Sequence, residues 1–86
     1  MTFKQLFNMI ESMLQGEYSP WEFSYAFPEK LIKYEDVLAQ ENPVLFDEVQ
    51  ENFPDICSEL EDDEDSYEIF KEIVKKEYDR VKAFCK

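Results

Sequence analysis

Residues 3–22 read FKQLFNMIESMLQGEYSPWE, and this stretch indicates a helical chain. Its first part repeats apolar residues at the spacing of one helix face: Phe3, Leu6, Phe7, Ile10, Met13 and Leu14. Thr2 is the predicted N-cap of this helix and Gly16 its predicted C-terminal stop. Ser19 then begins a second helix, with a proline in the first position and Glu22 reaching back in a capping box. The stretch therefore predicts two consecutive helices.

Prolines divide the apolar pattern that follows. Pro28 predicts a break or kink, because the residue before a proline is biased away from helical geometry; the pattern then resumes over residues 31–38. Asn42 and the proline after it begin a third segment, which Pro54 kinks or restarts.

The last predicted helix follows Ser66. It places these apolar residues on one face: Tyr67, Phe70, Ile73, Val74, Val81 and Phe84. The sequence holds a single glycine and few β-branched residues, which also favours helices. We therefore predict an all-α chain, an antiparallel bundle of about four helices that forms one domain over residues 1–86.

Composition and charge restrict the classes of partner. The hydrophobic fraction is 44% and the aromatic fraction 16%, enough for a ring-rich core and against disorder. The sequence contains nine Lys and Arg residues and 21 Asp and Glu residues, which gives a net charge of −12. Nucleic acids and anionic membranes are therefore not expected to bind directly, since both need basic residues. Self-repulsion also favours a monomer before any complex forms.

Other features predict a cytoplasmic protein. No stretch reaches the roughly 20 apolar residues of a membrane-spanning helix, and the N-terminus lacks the apolar run of a secretory signal. Two widely spaced cysteines, Cys57 and Cys85, are expected to be reduced core residues.

The residue types argue against catalysis. The sequence contains no histidine, so the commonest general base and metal ligand is missing, and neither cysteine has a histidine to activate it. A Ca²⁺ loop starting at Asp62 would put Tyr67 where glycine is needed and Ile73 where glutamate is needed. We predict no enzyme activity, cofactor or metal.

Negative charge is concentrated before the last helix. Residues 1–65 hold 17 acidic residues and 3 lysines, a net −14, whereas residues 66–86 carry +2 and are expected to pair internally, as Lys75 does with Asp79. The densest run lies at residues 59–65, here called the acidic turn. Four acids of the preceding segment either extend the same surface or form an ordinary exposed helix face: Asp47, Glu48, Glu51 and Asp55.

Two interpretations of the acidic turn stay open. It is either a solvated loop, whose acids favour the N-terminus of the last helix, or a surface for a cationic partner. The helix dipole explains Asp63, Glu64 and Asp65 better than the acids at the C-terminal end of the preceding helix. Trp21 is similarly either a staple between the first two helices or an interface anchor, because the helical period cannot bury Tyr18, Trp21 and Tyr25 together.

Residues 14–24, LQGEYSPWEFS, resemble the opening of the small acidic immunity proteins of the colicin D type, and of related immunity proteins from contact-dependent growth inhibition systems. The resemblance extends loosely over most of the chain. It implies a helical bundle that binds the C-terminal nuclease domain of a toxin, often one that cleaves tRNA. It further implies that acidic side chains occupy the cationic cleft meant for RNA phosphates.

The sequence therefore predicts an immunity protein that neutralises a toxic nuclease. The candidate toxin-binding residues are Glu48, Asp55, Glu59, Glu61, Asp62, Asp63, Glu64, Asp65 and Trp21. The alternative is an acidic nucleic-acid mimic or adaptor that regulates a DNA- or RNA-handling partner, and a scaffold subunit is a weaker third possibility.

Overall fold

The computed structural model describes residues 1–85, and Lys86 lies outside the described residues. The helices are α1 (Phe3–Leu14), α2 (Pro20–Lys33), α3 (Glu35–Glu41), α4 (Pro43–Ser58) and α5 (Glu64–Lys82). No strand occurs in this part of the chain, so the all-α class is confirmed for it. Five helices replace the expected four or so.

Both ends of α1 form where the sequence predicted them. The Thr2 hydroxyl accepts the backbone N–H of Gln5, and the Gln5 side chain accepts the backbone N–H of Thr2, which completes a capping box. Gly16 has a φ of +85°, a left-handed conformation that favours glycine, and its N–H donates to the carbonyl of Met13 at 3.1 Å. The chain can therefore leave α1 without an unpaired carbonyl at Met13.

Side-chain caps also start α2, α4 and α5, whereas α3 begins without one. The Ser19 hydroxyl accepts the backbone N–H of Trp21 at 3.2 Å, and the Asn42 side chain caps α4 in the same way. The start of α5 differs from the prediction. The Asp63 carboxylate accepts the backbone N–H of Ser66 at 2.7 Å, so α5 begins ahead of Ser66 rather than after it.

Of the break or kink predicted at Pro28, the break does not occur, because α2 continues through Pro28, and α4 likewise continues through Pro54. A proline inside a helix removes one hydrogen bond and crowds the preceding turn. Buried residues lie on both sides of each proline, as Phe27 and Leu31 do around Pro28. Packing of these side chains holds the helices together across the prolines.

The fifth helix arises from a turn at Tyr34. Its φ of −110° and ψ of 23° end α2 and begin α3, although Leu38 still donates its backbone N–H to the Tyr34 carbonyl at 2.9 Å. Leu38 is fully buried, and α3 packs against α4. The turn thus directs the second half of the predicted segment onto α4.

One cluster of buried side chains joins all the helices, and α2 contacts each of the other four. Aromatic rings link α2 to its neighbours: the centroids of Phe27 and Phe53 on α4 lie 4.9 Å apart, and those of Phe23 and Phe70 on α5 lie 6.0 Å apart. Edge and tilted ring contacts of this kind add to the burial energy. The ring-rich core predicted from composition is therefore centred on α2.

The buried face of α5 differs in part from the predicted face. It consists of Phe70, Val74, Tyr78 and Val81. Ile73 and Phe84, expected in the core, are 43% and 37% exposed. Both cysteines are free, but Cys85 is exposed rather than a core residue. No helix within residues 1–85 is both long and apolar enough to cross a membrane.

Candidate functional site

The acidic turn lies where three helix ends meet. It connects the C-terminus of α4 to the N-terminus of α5, and Glu59 is the C-cap of α4. A cleft of about 320 Å³ is lined by Pro20 at the start of α2 together with Glu64, Asp65 and other α5 residues. The start of α2 therefore borders the acidic turn, which brings the segment around Trp21 to the same end of the molecule.

The second half of the acidic turn has a structural explanation. Asp63 caps α5, and Glu64 and Asp65 lie in its first turn, where the helix dipole favours negative charge. Asp62 accepts a hydrogen bond from the hydroxyl of Tyr67. This bond is the main cause that raises the pKa of Tyr67 to about 12. These four acids thus stabilise the local fold.

The first half of the turn has no such explanation. Glu59 and Glu61 are exposed at the C-terminal end of α4, where the dipole opposes negative charge. Asp55 is also exposed, one turn earlier on α4. Among residues 1–85, none of the ion pairs involves an acid of the acidic turn or Asp55. Their carboxylates have no basic partner among these described residues.

The paired charges lie on α5 instead. Lys75 and Asp79 are 2.6 Å apart, as the sequence predicted, and this hydrogen bond is the main cause of a lowered pKa for Asp79. Arg80 contacts Glu77 at 2.7 Å and Glu48 at 2.6 Å, and hydrogen bonds to both raise the pKa of Arg80. Glu48 is therefore a structural ion-pair partner and does not join the free carboxylates of the acidic turn.

Trp21 lines an open groove between α2 and α4, here called the Trp21 groove. Its volume is about 320 Å³, and its lining comprises Trp21, Ser24, Tyr25, Pro28, Pro54, Cys57, Ser58 and Leu60. Trp21 and Tyr25 pack edge to face, with centroids 5.3 Å apart. Trp21 is partly exposed and does not staple α1 to α2; Tyr18, which contacts Phe23, packs against the core instead.

A second apolar groove of about 180 Å³ lies on the other side of the end of α4. Leu60 lines both grooves, and Ile69 and Ile73 of α5 line the second one. Sequence reasoning missed Leu60 and Ile69 as surface components, whereas Tyr25 was already among the three rings that the helical period cannot bury together. The available signal was the four-residue spacing of Ile69 and Ile73, one position away from the buried stripe of α5.

A third groove, of about 780 Å³ between α1 and α5, has a different character. Its lining contains three lysines and three glutamates, so it offers no net attraction to a cation. The hydroxyl of Tyr78 donates to Glu11 at its edge. No cluster of three or more potential metal ligands occurs in the described part of the chain.

The candidate site is thus the end of the molecule formed by the acidic turn, Asp55 and the Trp21 groove. Eight of the nine predicted residues belong to this end or border it, and Glu48 is the exception. Its chemistry is that of a surface with carboxylates around an apolar centre, suited to binding. Comparison with protein-family models, curated proteins and solved structures finds no match for this chain.

Proposed function

We propose that this protein is an immunity protein, which binds a toxic nuclease domain and blocks its basic cleft with the acidic turn. The observation that carries the proposal is the set of unpaired carboxylates at the end of α4. Like charges at a helix C-terminus destabilise the folded monomer, and a cationic partner would relieve that cost. The resemblance of residues 14–24 to immunity proteins of the colicin D type supplies the class of partner, a nuclease that acts on tRNA.

The mechanism follows from the chemistry of RNA-cleaving clefts. Such a cleft presents Lys and Arg side chains that hold phosphates, and carboxylates can accept the same charge-assisted hydrogen bonds. In this mechanism Asp55, Glu59 and Glu61 contact the cleft directly. The acids of the α5 first turn add to the potential that attracts the partner while they keep their structural role.

Inhibition by occupancy requires no reaction on the protein itself. Burial raises the pKa of the Cys57 thiol to about 12, so this thiol stays protonated at neutral pH and is a poor nucleophile. Together with the absence of histidine from the sequence, this supports a binding protein rather than an enzyme.

Charge reversal tests the proposal. The triple variant Asp55→Lys, Glu59→Lys, Glu61→Lys changes exposed acids that make no ion pair, and it leaves the Asp63 cap intact. We expect it to lose protection of cells that express a toxic nuclease domain encoded by an adjacent reading frame, while circular dichroism stays helical. Its stability should not fall, because lysine is favoured at a helix C-terminus by about 0.3–1 kcal/mol per charge.

A matched control reverses three exposed acids elsewhere: Glu35→Lys, Asp36→Lys and Asp47→Lys. These positions lie on α3 and the first half of α4, and α4, with 16 residues, is about 24 Å long. Because Glu35 and Asp36 lie in the first turn of α3, where the dipole favours acids, the control should be less stable than the triple variant. It has the same net charge as the triple variant and should still protect while it stays folded. Equal loss in both variants would point to overall charge, as expected of a general nucleic-acid mimic, and survival of protection in the triple variant would refute the proposal.

A further inference from the structure

The Trp21 groove has the features of an anchor pocket at the centre of a protein interface. It places a tryptophan and a tyrosine together on one open wall, and Tyr25 is 63% exposed. Tryptophan and tyrosine dominate the binding energy of many interfaces, where they lie in a central patch surrounded by polar residues. A volume of about 320 Å³ has room for one or two side chains from a partner.

The two prolines inside helices line this same groove. Pro28 comes from α2 and Pro54 from α4, although each is unfavourable within a helix. The wall therefore combines the rings of Trp21 and Tyr25 with those of two prolines.

The charges around the groove determine which partner fits. Leu60, at its edge, lies in the acidic turn between Glu59 and Glu61. A second copy of this chain would bring equally acidic surfaces together, which disfavours self-association through the groove. A segment with an apolar side chain between Lys or Arg residues matches both the groove and the carboxylates beside it.

We propose that the Trp21 groove receives an apolar side chain of the nuclease domain, flanked by Lys or Arg residues that contact the acidic turn. This inference rests on the proposed function and adds a second element to it. The acidic turn governs the encounter, and the groove holds the complex together. Affinity should then depend on Tyr25 through the dissociation rate, with little change in the association rate.

Two measurements on the complex with a nuclease domain encoded by an adjacent reading frame test this inference. The variant Tyr25→Ser should weaken binding by roughly tenfold or more through faster dissociation, with the salt dependence of association unchanged. Ile32→Ser is the matched control, since Ile32 is 77% exposed on the same helix and does not line the groove. It should bind within about twofold of the unmodified protein.

The second measurement uses Trp21, the single tryptophan of the sequence. Labelling with 5-fluorotryptophan gives one ¹⁹F resonance, which should shift when the nuclease domain saturates the protein. If the complex forms but the resonance stays in place and Tyr25→Ser binds normally, the groove inference is wrong and the proposed function stands. If no complex forms with the unmodified protein, the proposed function fails and this inference fails with it.

Discussion

Tyr78 on α5 combines a buried ring with a polar contact. Its ring packs against Phe7 of α1, with centroids 5.3 Å apart, and its hydroxyl donates to Glu11 on the same helix. Burial and, secondly, this hydrogen bond raise the pKa of Tyr78. The hydrogen bond between α5 and α1 therefore forms only while the Tyr78 hydroxyl keeps its proton.

The raised pKa of Tyr78 predicts a loss of stability at alkaline pH. A tyrosine in the unfolded chain ionises near pH 10, whereas Tyr78 in the folded chain keeps its proton to higher pH. Above about pH 10 the unfolded state binds fewer protons, so the free energy of unfolding falls as the pH rises. Urea unfolding between pH 8 and 11.5 should show this decline, to which the raised pKa values of the Cys57 thiol and Tyr67 also contribute.

Tyr78→Phe should lower stability at neutral pH and show a smaller alkaline decline, because it removes the ionising group. The control Tyr25→Phe alters an exposed tyrosine of α2 and should keep the original decline. A decline of equal size in Tyr78→Phe and in the unmodified protein would assign the alkaline effect to other groups.

At the scale of the helix, Pro28 lowers the stability of α2, and its ring forms part of the Trp21 groove. A proline inside a helix is less favourable than alanine by about 3 kcal/mol. Phe27 and Leu31 are buried around Pro28 and offset this loss. Helix α2 therefore stays continuous, and the ring of Pro28 lies on its surface in the wall of the groove.

Pro28→Ala should therefore raise the free energy of unfolding by about 1–3 kcal/mol and weaken binding to the nuclease domain. Urea unfolding and calorimetry would measure the two effects. Pro20→Ala is the control, because Pro20 occupies the first turn of α2, where proline is tolerated. Higher stability with unchanged affinity in Pro28→Ala would show that the groove does not need the proline.

The helices also show which features of the fold can be predicted from the sequence. Caps were predictable at Thr2, Ser19 and Asn42, because each side chain acts on amides two or three residues away. The turn at Tyr34 was not, since hydrogen bonds of helical type continue on both sides of it and its direction depends on packing of α3 against α4. Local signals set helix ends, and tertiary contacts set the bends between them.

The same distinction applies to the candidate site. The carboxylates of the acidic turn were evident from composition alone, but the pairing of Glu48 with Arg80 joins residues 32 positions apart. The Trp21 groove likewise needs α2 and α4 side by side, with Pro28 and Pro54 on its walls. Sequence spacing carried no information about either contact.

At the scale of the whole molecule, the net charge of −12 has two opposite effects: it destabilises the isolated protein, and it favours binding to a basic partner. Within the folded monomer the carboxylates repel one another, and those at the end of α4 form no ion pair with any described residue that would offset this. Towards a basic partner the same field accelerates encounter. Salt screens both effects, with a Debye length of about 10 Å at 0.1 M.

Added salt should therefore stabilise the free protein and slow its association. Between about 20 and 500 mM NaCl we expect the rate constant for binding the nuclease domain to fall by roughly tenfold or more, measured by stopped-flow. Over the same range the midpoint of thermal unfolding of the free protein should rise, because screening weakens its self-repulsion. The triple variant Asp55→Lys, Glu59→Lys, Glu61→Lys replaces three negative charges at the proposed contact with three positive ones, so any residual association should depend less on salt. Salt screens any long-range attraction by the exposed charges at this end of the molecule. An association rate that is independent of salt in the unmodified protein would therefore mean that the acidic turn does not steer the partner.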